Sequence, residues 1–181
     1  MQQKRRLCTV LLAVVALGAA AGVACSPTAS GSTTPSVGQP VDVSDLDIVS
    51  GQTIYVTAYS EVPYAEPGRR LNLLVTLSIH NTDLTRPIVL PSVRYYLAAR
   101  QLVREHLDKP LSLPPLGSTE FVVQPGQGHG VGTNFIVEWV AEEPVYEPVV
   151  ETLMINTTGA LGISFSSPGR VISQIDWGGE G

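Results

Sequence analysis

The sequence predicts an all-β chain, an immunoglobulin-like antiparallel β-sandwich in a single domain behind an N-terminal signal and a flexible linker. Three observations lead there. Apolar residues recur with period two in several short segments, as in "LNLLVTLSIHNTD", the pattern of strands with one buried face. Pro and Gly separate those segments: 17 Gly and 14 Pro stand among 181 residues, a turn-rich composition. Short strands at regular spacing with turn signals between them indicate a sandwich or barrel.

Taken in chain order, residues 1–24 read as a signal peptide. Lys4, Arg5 and Arg6 precede an apolar run from Leu7 to Ala24 that ends in small residues, the order of an export signal. A spanning helix is the rival, since 18 uncharged residues lie near the lower length limit. The Ala/Gly-rich last third favours cleavage. "AGVAC" resembles a bacterial lipobox in which Cys25 takes a diacylglycerol and becomes the new N-terminus, with Gly22 standing where Leu is usual. Ordinary cleavage after Ala21 or Ala24, giving a secreted soluble protein, competes. Both cysteines, Cys8 and Cys25, fall in the first 25 residues, so Cys25 has no disulfide partner in the mature chain and no thiolate metal site can form there. Residues 25–46 begin "CSPTASGSTTPSVGQP", too poor in apolar residues to fold. They read as a lipid-anchored flexible tether; about twenty such residues reach roughly 25 Å.

Residues 47–177 carry the sandwich, and 178–181 a disordered tail. "GQTIYVTAYS" sets Ile54, Val56 and Ala58 against Tyr55, Thr57 and Tyr59. "LNLLVTLSIHNTD" sets Leu71, Leu73, Val75, Leu77 and Ile79 on one face, then turns at Asn81-Thr82-Asp83. "RPIVLPSVRYYLAARQLVREHL" reads as strand, turn near Ala98–Gln101, and returning strand. A helix over "YYLAARQLVREHL" competes on propensity. "STEFVVQPGQG", "GTNFIVEWV", "VVETLMIN" and "ALGISFSSPG" are further strands, and "RVISQIDW" closes the sheet. In "GTNFIVEWV", Phe135, Val137 and Trp139 face the core.

"IYVTAYSEVPY", "LVTLSIHNTD", "VRYYLAARQLVREHL", "GTNFIVEW" and "ISFSSPG", in that order, resemble the bacterial domain-of-unknown-function family 3124 over roughly Gly51 to Gly169. "SIHNTD" and "NFIVEW" are the most specific pieces. The resemblance implies a small exported or lipoprotein-like protein. It implies no activity and carries over no catalytic residue.

Charge excludes one class of partner. Beyond the first six residues there are 8 basic and 16 acidic residues, a net of −8, a poor match for nucleic acid. Motifs for catalysis do not assemble. "PGQGHGVGTN" fails the G-x-G-x-x-G spacing and lacks a following Gly-Lys-Ser/Thr, so it reads as a loop. "GISFS" lacks the final Gly of a nucleophile elbow, which leaves Ser164 a strand residue. Asn156-Thr157-Thr158 fits a glycosylation sequon but is most simply a turn. Glu142, Glu143, Glu147 and Glu151 read as a solvated connection rather than a calcium loop.

The expectation is therefore a non-enzymatic, cofactor-free binding or assembly module. It is tethered to the membrane through Cys25, faces away from the cytoplasm in the cell envelope, and meets an envelope protein or a small ligand. The candidate contacts are Tyr59, Tyr64, His80 and His129, exposed aromatic or imidazole groups on a rigid scaffold. The alternative is an envelope protein binding zinc or copper through His80, His106 and His129. Their separations of 26 and 23 residues match no local ligand spacing.

Overall fold

The computed structural model describes residues 38–126, 132–158 and 162–174. The signal, Cys25, His129 and the tail lie outside them. Strands β1 (Gln39–Pro40), β2 (Ser50–Thr57), β3 (Glu61–Pro63), β4 (Arg70–Asn72) and β5 (Leu74–His80) open the chain. The middle holds β6 (Ile88–Tyr96), β7 (Leu102–Glu105), β8 (Leu111–Leu113) and β9 (Ser118–Val123). The last part holds β10 (Asn134–Ala141), β11 (Val149–Asn156), β12 (Ile163–Pro168) and β13 (Arg170–Gln174). Every pairing is antiparallel. One sheet runs β1-β8-β6-β10-β2-β13 with β7 also on β6, the second runs β12-β11-β5-β9, and β3-β4 form a separate hairpin.

The chain is all-β, as expected, and the two larger sheets form a sandwich. Alternation decides which residues lie between them. Ile54 and Val56 of β2, Val93 and Tyr95 of β6, and Phe135, Val137 and Trp139 of β10 point inward from the first sheet. Val75, Leu77 and Ile79 of β5 and Val150 and Met154 of β11 point inward from the second, and all belong to one apolar cluster. At roughly 25 cal/mol per Å2 of apolar surface this burial is the main favourable term. The immunoglobulin-like label remains the sequence expectation alone; the strand order above is the description.

Two segments differ in detail from the sequence expectation, and a third decides between its two readings. The run Leu71–Ile79 is not one strand. It breaks at Leu73, whose N–H donates to the Ser60 carbonyl at 2.8 Å, although Leu73 stays fully buried. The strand–turn–strand reading of residues 88–105 holds against the helix. Leu97 N–H donates to Gln101 O at 2.9 Å, and Arg100 sits at φ +62°, so the chain reverses before a helical turn can close. Finally, Gln39–Pro40 lies inside the segment read as tether. It pairs with Ser112 and Leu111 of β8, and Val41 N–H donates to Pro110 O at 2.9 Å. The sequence signal was weak there because a two-residue pairing shows no periodicity.

Several buried polar side chains are satisfied by backbone groups or by one another, the usual arrangement for interior polar groups. Asn81 is 2 % exposed. Its Nδ2 donates to the carbonyls of Arg86 (2.9 Å), Leu113 (3.2 Å) and Pro114 (3.0 Å), and its Oδ1 accepts the Asp83 N–H at 3.0 Å. Asp83 in turn accepts from the N–H groups of Thr85 (2.9 Å), Arg86 (2.9 Å) and Tyr146 (3.3 Å). The Thr85 N–H is the largest of the effects that hold the Asp83 carboxyl below the usual carboxylate range. Trp139 Nε1 donates to Gln52 Oε1 at 3.1 Å, and Gln52 Nε2 donates to Glu147. Across the sandwich, Thr152 Oγ1 donates to Thr57 O at 2.6 Å.

The chain changes sheets at Gly169, between β12 of the second sheet and β13 of the first. Gly169 N–H donates to Val150 O at 2.7 Å. A Cβ there would lie 2.6 Å from Ile54 Cγ2 and 2.9 Å from Val150 O. Gly169→Ala should therefore destabilise the fold by about 1–3 kcal/mol through overpacking, read as a lower urea midpoint; an unchanged midpoint would show that the corner can relax. Asn81→Leu strands several buried carbonyls and should lose at least about 2 kcal/mol in the same assay.

Candidate ligand groove on the outer face of the first sheet

Where β2, β10 and β6 lie side by side, burying one face fixes what the other presents. Ile136 is the Cα partner of both Tyr55 and Arg94. The next row on the same face holds Thr57, Asn134 and Tyr96. All of these but Thr57, with Leu97, Ala98 and Arg100 of the following turn, line a shallow groove of about 430 Å3 in the outer face. The volume is within the range of small-molecule sites, about 300–1,000 Å3. Ile136 and Asn134 form the floor, and Tyr55 and Tyr96 stand at opposite strands.

Two cations line the groove. Arg94 donates one Nη to Glu138 in an ion pair with both side chains 31 % exposed. Its buried Nε meets no acceptor among the described residues. The guanidinium carries five N–H donors, so most of its donor capacity is uncommitted. Arg100, at the tip of the β6–β7 turn, is exposed and forms no ion pair among the described residues. Glu105, the Cα partner of Arg94 across β6 and β7, accepts from Ser92 Oγ (2.8 Å) and the Val93 N–H (2.9 Å) and forms no ion pair among the described residues.

The residues singled out in the sequence do not gather here. Tyr59 is not freely exposed: it is half-buried, packs on the core and faces Phe165 with ring centroids 6.1 Å apart. Its backbone N–H donates to Met154 Sδ at 3.4 Å. Tyr64 is exposed, on the β3–β4 hairpin, with the Arg69 guanidinium 6.0 Å above its ring. His80 is exposed at the end of β5, opposite Val149 and Ser118. His129 lies outside the described residues, as does Cys25. Among the described residues no group of three or more His, Cys, Asp and Glu could hold a metal ion.

His106 is the residue the sequence misplaced. It stands in the charged segment "REHLDK", a local setting typical of a solvated side chain. The ring instead lies against Phe121 of the second sheet (5.3 Å) and Phe135 of the first (5.7 Å). Its Nε2 is buried without a hydrogen-bond partner among the described residues. Burial foremost, and then Arg104, push its pKa down to about 4, against a smaller opposing effect of Glu105. Asn156, of the sequon, is not a turn residue but the last residue of β11, paired with Ile163; its Oδ1 accepts the Thr158 N–H at 2.8 Å and its Nδ2 donates to Asn72 O at 2.6 Å. Arg94, Arg100, Tyr55, Tyr96 and Asn134 were not singled out. Alternation marked Tyr55 and Asn134 as outward-facing, but only the strand order brings them together.

Fold and groove together define the class: a two-sheet antiparallel β protein with a polar–aromatic surface site on one sheet. The chain belongs to the family described as Protein of unknown function (DUF3124), which matches residues 51–172, from β2 into β13. The crystal structure of Thermotoga maritima 1070 is similar at a TM-score of 0.38 and 12 % identity, over 66 % of this chain and 92 % of that one. A likeness at that score supports no further step. Among curated proteins nothing matches.

His106 is neutral when folded and binds a proton more readily when unfolded. The unfolded state therefore takes up more protons between about pH 4 and 6.5, and stability falls as pH drops through that window. The loss should be roughly 1–3 kcal/mol. Urea titrations from pH 7 to pH 4 should show this decline, and His106→Phe should flatten it.

Proposed function

We propose that this protein is a membrane-tethered lipoprotein of the bacterial envelope whose sandwich is a non-catalytic binding module. The observation that carries the binding reading is the groove of Tyr55, Arg94, Tyr96, Arg100 and Asn134. It offers two aromatic rings and uncommitted guanidinium donors on a rigid sheet face. In a body with a net charge of −8 beyond its first six residues, the groove is lined by two arginines, Arg94 paired with Glu138 and Arg100 with no ion pair among the described residues, which favours an anionic small ligand or an acidic patch of an envelope protein.

The anchoring reading rests on the order basic residues, apolar run, Ala-Gly-Val-Ala and Cys25. Thioether-linked diacylglycerol on Cys25, with acyl chains worth about 0.8 kcal/mol per buried CH2, holds the chain on the outer side of the cytoplasmic membrane. The Ser/Thr/Gly/Pro-rich stretch after Cys25 serves as the tether. Membership in a family without an established activity fits a reading that assigns no reaction.

Cys25→Ser should move the protein from the membrane pellet to the soluble fraction, and the wild-type N-terminus should carry the mass of a lipidated cysteine. Membrane retention unchanged by the substitution would reject the anchor.

A further inference from the structure

We propose that the groove bounded by Tyr55, Tyr96, Arg94 and Arg100 binds an acidic sugar, a pyranose ring carrying a carboxylate. The inference deepens the binding-module reading and rests on it.

Each part of that ligand has a counterpart on the sheet. Tyr55 on β2 and Tyr96 on β6 are separated by β10 and by one side-chain row, which places their Cα atoms about 12 Å apart diagonally. Between them Ile136 supplies an apolar floor. A pyranose has apolar C–H faces suited to aromatic and aliphatic side chains, while its rim of hydroxyls needs donors and acceptors. The Asn134 amide and the tyrosine hydroxyls supply those. Arg94 and Arg100 supply a fork for the carboxylate, the group that guanidinium matches best. A bare anion such as phosphate would use the arginines and leave the rings idle. An extended peptide would pair with a strand edge, whereas this groove lies on the face of three strands already paired.

The backbone at Arg100 makes the substitution informative, although Ala65 and Leu116 share its positive φ away from the groove. Its φ of +62° lies in the left-handed region, where glycine and asparagine are the favoured residues. A long cationic side chain at that turn is not what the backbone prefers. The turn sets the Arg100 side chain beside the groove.

This separates binding from folding in one substitution. Arg100→Gly relieves the turn and removes the cation. Isothermal titration of the full chain in detergent micelles with digalacturonate should give saturable heat. The neutral galactose disaccharide should bind at least tenfold more weakly. Arg100→Gly should weaken digalacturonate at least tenfold with Tm unchanged or raised, and Arg100→Gln should show the same loss. Hydrogen exchange should slow on binding at residues 94–100 and 134–136. The proposal is overturned if millimolar digalacturonate gives no heat, if the neutral sugar or inorganic phosphate binds as well, or if Arg100→Gly keeps full affinity. Any of these would leave the anchoring by Cys25 standing, because fractionation reads that separately.

Discussion

Burial of one face of β2, β10 and β6 is the constraint on which the rest of the structure depends. Side chains alternate along a strand, so a slip of one residue would turn the whole inward set to solvent. Placing Ile54, Val56, Phe135, Val137, Val93 and Tyr95 in one core fixes the register of all three strands at once. The same register brings Tyr55, Ile136 and Arg94 abreast on the other side. The outer groove is thus a consequence of core packing, and its side chains stand on paired strands rather than on a loop. On the proposed reading, such a frame would hold a ligand's contacting groups at little entropic cost.

The most specific sequence pieces turn out to be structural. In "SIHNTD", Asn81 and Asp83 collect backbone groups from the loops around residues 85–86, 113–117 and 146. In "NFIVEW", Trp139 is tied through Gln52 to Glu147, and Glu138 holds Arg94. Buried donors and acceptors with specific partners tolerate few replacements, because a lost partner leaves the other group unsatisfied. That is a sufficient physical reason for these short motifs to be distinctive, without any reaction to perform. Glu138 links the two roles, since it belongs to the motif and orients a groove arginine.

The core also carries polar groups without partners among the described residues, the Tyr95 hydroxyl and His106 Nε2. Both rings pack on Phe135, at 4.9 Å for Tyr95 and 5.7 Å for His106. Aromatic packing of this kind contributes roughly 0.5–1.5 kcal/mol per pair beyond burial. Through Phe121 and Phe135, His106 joins the two sheets near β7, a strand whose own residues are all exposed. The His106 N–H donates to Val93 O at 2.8 Å, which continues the pairing with β6 past the end of β7.

The sequence by itself determined the all-β class, the inward faces of β2, β5 and β10, and the turn at Asn81–Asp83. Those follow from period-two alternation and from side chains that bond their own neighbouring backbone, both of which are local. It could equally have supported a helix over "YYLAARQLVREHL", where propensity and pairing disagree; only the partner strand β6 decided that. Tertiary structure alone decided that Tyr59 turns inward onto Phe165 and that His106 lies between two phenylalanines. It alone set β10 between β2 and β6, so that Tyr55, Arg94 and Asn134, far apart along the chain, line one groove. Strand order is a long-range property: nothing in the neighbourhood of Tyr55, Arg94 or Asn134 along the chain says which strand will lie beside it.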